Sequence, residues 1–177
     1  ILQGWRFFDG FSILHLLWLV WGVCEYIQST GDRSILSQTA PFLDSEPLQK
    51  LGKERYEEAM VTRETASIEV HCKKALELFM QRGLGSHGLP LILGGDWNDG
   101  MNRLGEKGMG ESVWLAHFAG RIFRSFGALT GNEEYISYAD LLRKGALSAY
   151  SNGQYIRGYD DMGNAVGQEG DTECSID

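Results

Sequence analysis

The sequence predicts an all-α protein whose helices are joined by long, glycine-rich functional loops. Apolar residues recur at three- and four-residue steps in several stretches, which is the spacing of one face of a helix. The 177 residues include 23 glycines but only 3 prolines, which suits helices separated by glycine turns. With 43% hydrophobic and 23% charged residues, the composition is that of a globular protein with one sizeable core. We therefore expect a single domain.

The first predicted helix covers residues 11–27 and is apolar on almost every side. Its most apolar run contains His15 and is shorter than the roughly 20 residues that cross a bilayer, so we expect a buried helix with no membrane span. Trp18 and Trp21 are interpreted as core residues in preference to a sugar-stacking surface. No export signal is evident, and a cytoplasmic location is expected.

Three further long helices follow the same apolar spacing. The second is predicted over residues 62–82 and the third over residues 111–129, and the fourth begins after Asn132, which can cap it. The third and fourth helices are expected to form an antiparallel hairpin. A short helix is predicted over residues 34–38 and a strand or hairpin arm over residues 154–159.

Several kinds of site are disfavoured. The net charge of -8, without a basic stripe, argues against nucleic-acid binding. The GxGxxG pattern at residues 83–88 follows a helix, whereas a dinucleotide site needs a strand before it. The stretch that begins at Asp96 departs from a calcium loop at three required positions, and the histidines lack zinc-ligand spacing. We therefore predict no resident metal or cofactor.

Cys24, Cys72 and Cys174 are widely spaced and are expected to be core thiols.

The connection over residues 84–110 is the most informative part of the chain, because long loops inside compact domains are usually functional. In it, Asp96 and Asp99 flank Trp97 and Asn98. An indole ring packs on the C–H face of a sugar, while carboxylates and amides bind its hydroxyls. The indole and the neighbouring carboxylate would raise the pKa of one Asp, which could then serve as a general acid. A structural role for both aspartates in Asx turns remains open at this point.

The motif GSHGLPLILGGDWNDGMNRLG at residues 85–105, continued by GESVWL at residues 110–115, closely resembles the inverting glycoside phosphorylases, which include cellobiose and chitobiose phosphorylase. The GDWNDGMNR sequence looks closest to the phosphorylase-like C-terminal domain of cyclic β-1,2-glucan synthases and to β-1,2-oligoglucan phosphorylases. The resemblance covers the chain from about residue 16 to its end. The flanking segments that agree are residues 30–32, 41–43, 155–161 and 173–177.

The resemblance implies a fold and a set of site residues. The fold would be a partial (α/α)6 barrel, with residues 1–177 forming a single fragment of the catalytic domain that is incomplete at both ends. Asp99 would be the general acid and Trp97 would contact the sugar at the cleavage subsite. Asn98 would bind substrate and shape the turn, and Glu173 would bind sugar hydroxyls. Asp96 would lie beside the acid and tune its pKa.

The implied activity is reversible phosphorolysis of β-linked gluco-oligosaccharides, with β-1,2 the expected linkage. Phosphate attacks the anomeric carbon directly, so a single acid suffices and the product is an inverted sugar 1-phosphate. The implied partners are an oligosaccharide substrate, inorganic phosphate as co-substrate, and either a fused glucan synthase domain or a second copy in a homodimer. Two alternatives stay open: a noncatalytic carbohydrate-binding or scaffold remnant, and an inverting glycoside hydrolase that uses water.

One departure from the family pattern lies in the first helix. The family usually carries an Arg and an Asp pair in the form RxSDDLLWL, whereas residues 11–19 read FSILHLLWL. Each lost hydrogen-bond partner of a sugar typically costs about 1 to 3 kcal/mol, which favours the noncatalytic alternative. Another hypothesis is that the first fourteen or so residues are not the native reading of the gene. The family's phosphate-binding His and small-residue loop are expected beyond residue 177.

Other polar residues have two interpretations each. Glu111 lies at a predicted helix start, where a carboxylate suits the helix dipole, and this interpretation is favoured over a catalytic one. His87 is expected to order the glycine loop. Tyr155, Arg157 and Tyr159 would project to one side of a strand, where they either line the acceptor subsite or form a packed edge.

Overall fold

The computed structural model describes residues 5–7, 11–44, 55–57, 60–93, 101, 103–168 and 170–171; for residues 5–7, 11–15 and 55–57 only the backbone is described. The α-helices are α1 (Phe11–Thr30), α2 (Ile68–Arg82), α3 (Val113–Thr130) and α4 (Glu133–Ser148). The strands are β1 (Trp5–Phe7), β2 (Thr39–Asp44), β3 (Arg55–Glu57), β4 (Met60–Ser67), β5 (Glu111–Ser112), β6 (Tyr150–Ser151), β7 (Gln154–Tyr155), β8 (Gly158–Tyr159) and β9 (Ala165–Val166).

The prediction of an all-α fold is wrong. The strands pair antiparallel as β1–β3, β2–β4 and β6–β7, and as a three-stranded sheet in the order β5–β8–β9. The implied (α/α)6 barrel is also wrong for the part of the chain described, in which no closed barrel is detected. The physical reason is that the connections between helices satisfy their backbone N–H and C=O groups by pairing with one another, which helical periodicity does not reveal.

The largest single error concerns the start of the second helix. The predicted helix over residues 62–82 begins at Ile68, because the preceding residues form β4, which pairs with β2 from Thr39↔Ser67 to Asp44↔Met60. Val61, Thr62 and Thr65 are β-branched, which favours a strand over a helix.

Capping side chains set the starts of the helices. The hydroxyl of Ser67 accepts a hydrogen bond from the backbone N–H of Val70 in α2, and that of Ser112 accepts one from the N–H of Leu115 in α3. Asn132 caps α4, as predicted, by accepting from two backbone N–H groups. The predicted short helix is a 3-10 helix, Arg33–Ser37, and the predicted hairpin arm is two short strands, β7 and β8.

Helices α3 and α4 form the predicted antiparallel hairpin. The turn between them uses Gly131 in the left-handed region, with φ of 70°. Gly127 of α3 lies next to Ile136 of α4, and Gly120, farther from the turn, lies next to Leu142. The two helices therefore run in opposite directions. The main core lies where this hairpin packs against α1 and α2. Its largest fully buried side chains from the four helices are Phe123, Phe126, Leu17, Leu76, Ile122, Leu142 and Val20.

Helix α1 is a core helix, as predicted. Trp18 and Trp21 pack edge to face with ring centroids 5.2 Å apart, and Trp18 also contacts Phe118 of α3. Cys24 and Cys72 are buried, which confirms their assignment as core thiols, whereas Cys174 lies outside the described residues. None of the described helices has both the length and the apolar character that a membrane span requires.

A second, smaller core positions the connection between α2 and α3. It joins one residue of that connection to the N-terminal end of α3, the C-terminal end of α4 and the segment that follows α4. Its buried members are Leu89, Val113, Ala116, Ala146, Ala149 and Ile156. The connection is therefore held on a rigid base formed by the α3–α4 hairpin.

Candidate functional site

The predicted site residues Asp96, Trp97, Asn98, Asp99 and Glu173 lie outside the described residues. The structure does describe the two segments of chain that lead into and out of the motif that carries the first four. These are residues 84–93 on the α2 side and residues 103–112 on the α3 side. We call them the entry stem and the exit stem.

The entry stem turns back on itself directly after α2. Helix α2 ends at Gly83, whose φ of 74° lies in the region that glycine tolerates best. The backbone N–H of Gly85 donates to the carbonyl of Leu89 at 2.8 Å, and Leu84 pairs with Pro90 as an antiparallel bridge. These backbone contacts fold the entry stem into a turn.

The two stems are joined to each other by backbone pairing. The N–H of Ile92 donates to the carbonyl of Gly110 at 2.8 Å, and the N–H of Ser112 donates to the carbonyl of Pro90 at 3.0 Å. Leu91 and Glu111 form the bridge between these two bonds. The chain thus enters and leaves the motif side by side.

Glu111 adds a side-chain connection to this pairing. Its side chain is only 1% exposed. Oε2 accepts hydrogen bonds from the backbone N–H groups of His87 and Leu89, both at 3.1 Å, and Oε1 also accepts from the N–H of His87 at 3.2 Å. The hydroxyl of Ser86 donates to the same carboxylate at 3.3 Å. The carboxylate therefore accepts hydrogen bonds from donors that the turn of the entry stem would otherwise leave without a partner.

The imidazole of His87 is the fourth partner of this carboxylate. Its Nδ1 lies 2.7 Å from Oε1 of Glu111. Because an ionised carboxylate only accepts hydrogen bonds, Nδ1 is the protonated nitrogen in this pair. The ring also stacks on Tyr159 of β8, with centroids 3.6 Å apart and planes 4° from parallel. Burial, and then the charge of Glu111, raise the pKa of Tyr159.

Asp161 forms hydrogen bonds with the exit stem. Its carboxylate accepts hydrogen bonds from the backbone N–H groups of Lys107 and Met109, both at 2.8 Å, and from that of Gly110 at 3.1 Å. Burial acts to raise the pKa of Asp161, but these three hydrogen bonds and the charge of Lys107 together outweigh it, so the pKa lies below its ordinary value.

The aromatic residues at the end of the described chain support the packed-edge interpretation. Tyr155 and Tyr159 are partly buried against the second core. Tyr155 also contacts the rings of His117 and Tyr150. Among the described residues, no group of three His, Cys, Asp or Glu side chains is placed to hold a metal ion.

The sequence pointed to some of these residues and missed the role of others. The interpretation of His87 as a residue that orders the loop agrees with its contacts. Glu111 was assigned to a helix dipole, whereas its carboxyl group binds residues 86–89. Asp161 belongs to the segment 155–161 that agrees with the family, but the sequence assigned it no role, because its partners lie more than 50 residues away.

Comparison with known proteins identifies similar sequences over nearly the whole chain. The catalytic domain of the glycosyl hydrolase 94 superfamily matches residues 7–177. The cyclic beta-(1,2)-glucan synthase NdvB of Rhizobium meliloti (strain 1021) is 35% identical over 170 residues, which are 92% of this chain and 6% of that protein. Solabiose phosphorylase of Paenibacillus borealis is 28% identical over 90% of this chain. N,N'-diacetylchitobiose phosphorylase of Vibrio proteolyticus is 31% identical over 87% of it.

These relatives are much longer than the chain. The matched region spans 20% of the solabiose phosphorylase and 18% of the diacetylchitobiose phosphorylase.

Proposed function

Because the chain belongs to the glycosyl hydrolase 94 superfamily, we propose that it forms part of an enzyme that cleaves β-linked gluco-oligosaccharides with inorganic phosphate and inverts the anomeric carbon. Family membership supports a glycoside phosphorylase-like role in carbohydrate chemistry. The observation that carries the proposal is the match over residues 7–177, which includes the Gly-Asp-Trp-Asn-Asp-Gly motif.

In this proposal Asp99 is the general acid. It donates its proton to the glycosidic oxygen as the bond to the anomeric carbon breaks, while a phosphate oxygen attacks that carbon from the opposite face. The leaving sugar departs as a neutral alcohol, and the other product is a sugar 1-phosphate of inverted configuration. Phosphate is already an anion, so no second carboxylate is needed to activate it.

The neighbouring residues are proposed to bind and orient the sugar. Trp97 packs its indole on the sugar ring at the cleavage subsite, and Asn98 binds substrate and shapes the turn. Glu173 accepts hydrogen bonds from sugar hydroxyls. Asp96, beside the acid, favours the protonated form of Asp99 by like-charge repulsion.

The linkage and the wider context are proposals of the same kind. The similarity to a cyclic β-1,2-glucan synthase, of which the chain matches 6%, supports a β-1,2-linked substrate and fusion to a synthase domain. The alternative of a free phosphorylase is supported by the similarity to solabiose phosphorylase and diacetylchitobiose phosphorylase, and a homodimer is proposed for that case.

One observation favours a second candidate, a noncatalytic carbohydrate-binding domain. Residues 11–15 read FSILH, where the family usually carries an Arg and an Asp pair that hold the sugar. Without these partners, sugar hydroxyls lose hydrogen bonds worth about 1 to 3 kcal/mol each.

The test is to incubate the full-length protein that contains this chain with β-1,2-gluco-oligosaccharide, with and without inorganic phosphate. Phosphate-dependent release of glucose 1-phosphate is the expected result. Release of free glucose without phosphate would assign the protein as a hydrolase. Binding without turnover would assign it as the noncatalytic domain.

The role of Asp99 is tested in the same assay. Asp99→Asn keeps the size of the side chain but removes the proton that the leaving group needs, so turnover should fall by about 100- to 10,000-fold. The matched control is Asp140→Asn, which changes an exposed carboxylate on α4 that is paired with Arg124. Full turnover in Asp99→Asn would reject the assignment.

A further inference from the structure

Glu111 is a buried carboxylate that the proposed chemistry does not use. Burying a charged group is costly unless it is hydrogen-bonded or paired, so a carboxylate that is 1% exposed must gain its stability from its neighbours. Its donors are concentrated in one place, residues 86–89 of the entry stem. A carboxylate needed only for the helix dipole would not require these contacts.

The backbone and the side chain of Glu111 contact different segments of the chain. Its backbone belongs to the exit stem and pairs with Leu91 and with Tyr159 of β8. Its side chain reaches across to the turn of the entry stem. Glu111 therefore joins the two stems that flank the motif with the proposed general acid. His87 lies between its carboxylate and the ring of Tyr159.

Gly85 shows how closely the carboxyl group is fitted. A Cβ atom at this position would overlap the Cγ, Cδ and Oε1 atoms of Glu111. The entry stem can pass the carboxylate only because residue 85 has no side chain. The same contact can therefore be disturbed by a substitution at Gly85 in the entry stem or at Glu111 in the exit stem.

We infer that Glu111 is a positioning residue for the proposed reaction: by clamping His87 and Leu89 to the exit stem, it sets the place from which Asp99 delivers its proton. This inference rests on the proposed function. A general acid works only within hydrogen-bond reach of the leaving oxygen, and a displacement of about 1 Å can cost about 100-fold in rate.

Glu111→Gln is the variant that tests it. The volume is unchanged, but one acceptor oxygen becomes an NH2 group. Oε1 accepts from the backbone N–H of His87, and Oε2 accepts from those of His87 and Leu89, so an NH2 group in either place faces a backbone donor. Gly85→Ala is the second variant, because it displaces the carboxylate without removing it. The two effects should be less than additive, since both act through one contact.

The assay compares two substrates in the full-length protein. An oligosaccharide needs its leaving oxygen protonated, whereas a dinitrophenyl β-glucoside leaves as a stable phenolate and does not. With the oligosaccharide, Glu111→Gln and Gly85→Ala should each lower kcat by about 10- to 100-fold, with KM nearly unchanged. With the dinitrophenyl glucoside, both variants should retain most of the wild-type rate. A defect that only reduces the folded fraction would lower both rates equally, and that result would overturn the inference.

Two control variants match these changes. Glu106→Gln alters an exposed carboxylate in the exit stem, and Gly22→Ala adds a methyl group in α1 where no atom lies within 4 Å. Both should keep the wild-type kcat. Failure of the proposed function would look different, because the wild type itself would show no phosphate-dependent turnover. In that case amide hydrogen exchange tests whether Glu111 holds the entry stem. Unchanged protection of the N–H groups of His87 and Leu89 in Glu111→Gln would reject the inference.

Discussion

The carboxylate of Asp161 lies 2.8 Å from the backbone nitrogen of Lys107, although 54 residues separate them. The same side chain accepts from Met109 and Gly110, so the loop after β8 holds the exit stem near the point where it meets the entry stem. Glu111 in turn accepts hydrogen bonds from the entry stem. The connection between α2 and α3 is thus anchored by two carboxylates that the chain brings together only on folding.

Asp161→Ala and Asp161→Asn should differ in a predictable way. Oδ1 accepts from Met109 and Gly110, and Oδ2 accepts from Lys107. Alanine loses all three bonds and should lower the free energy of unfolding by about 1 kcal/mol or more, whereas asparagine keeps an acceptor for two of them. Amide hydrogen exchange at the three donors and urea unfolding measure the difference. Equal losses in both variants would contradict this prediction.

The stability that Asp161 provides should depend on pH. Its pKa in the folded protein lies below the ordinary value of 3.8, because the backbone N–H groups of Lys107, Met109 and Gly110, together with the charge of Lys107, outweigh the effect of burial. The unfolded chain therefore takes up the proton first. The contribution is complete above the ordinary value and is lost as the pH falls through the folded pKa. The unfolding free energies of wild type and Asp161→Ala should converge in acid; a constant difference would contradict this.

Gly145→Ala should be destabilising even though alanine is the better helix former. A Cβ at Gly145 of α4 would overlap the backbone carbonyl of Gly88 in the entry stem, and that carbonyl cannot move without disturbing the turn. The matched control is Gly120→Ala in α3, where the nearest atoms lie at 3.7 and 3.8 Å and the gain in helix propensity, up to about 1 kcal/mol, should be retained. Thermal unfolding of the two variants should shift in opposite directions. A rise in melting temperature for both would show that α4 does not press on the turn.

The thiols of Cys24 and Cys72 should resist alkylation in the folded protein. Burial raises the pKa of Cys24 to about 11 and that of Cys72 to about 12, and the thiolate is the reactive form. Iodoacetamide near pH 8, followed by peptide mass spectrometry, should modify neither residue in native buffer and both in denaturant. Rapid native modification of Cys72 would mean that the packing of α1 against α2 opens often.

Local patterns predicted α1, α4 and the α3–α4 hairpin well, because each has a continuous apolar face and two have recognisable caps in Ser112 and Asn132. They failed at residues 62–67, where charged and β-branched residues fit either a helix or a half-exposed strand. The choice of strand depends on β2, whose paired residues lie 16 to 28 positions earlier in the chain. The motif at residues 94–102 was likewise recognisable from its residues alone, whereas the contacts that hold its stems were not.

The sequence by itself determined the family and the helices with a clear apolar stripe, because these depend on residue types at short, regular spacings, and it is the basis on which Asp99 is proposed as the acid. Tertiary structure decided which strands pair, that Glu111 faces the entry stem and that Asp161 faces the exit stem. Those contacts join residues 22 to 54 positions apart. Hydrogen bonds over such separations form only when the packed helices have brought the two segments to the same place.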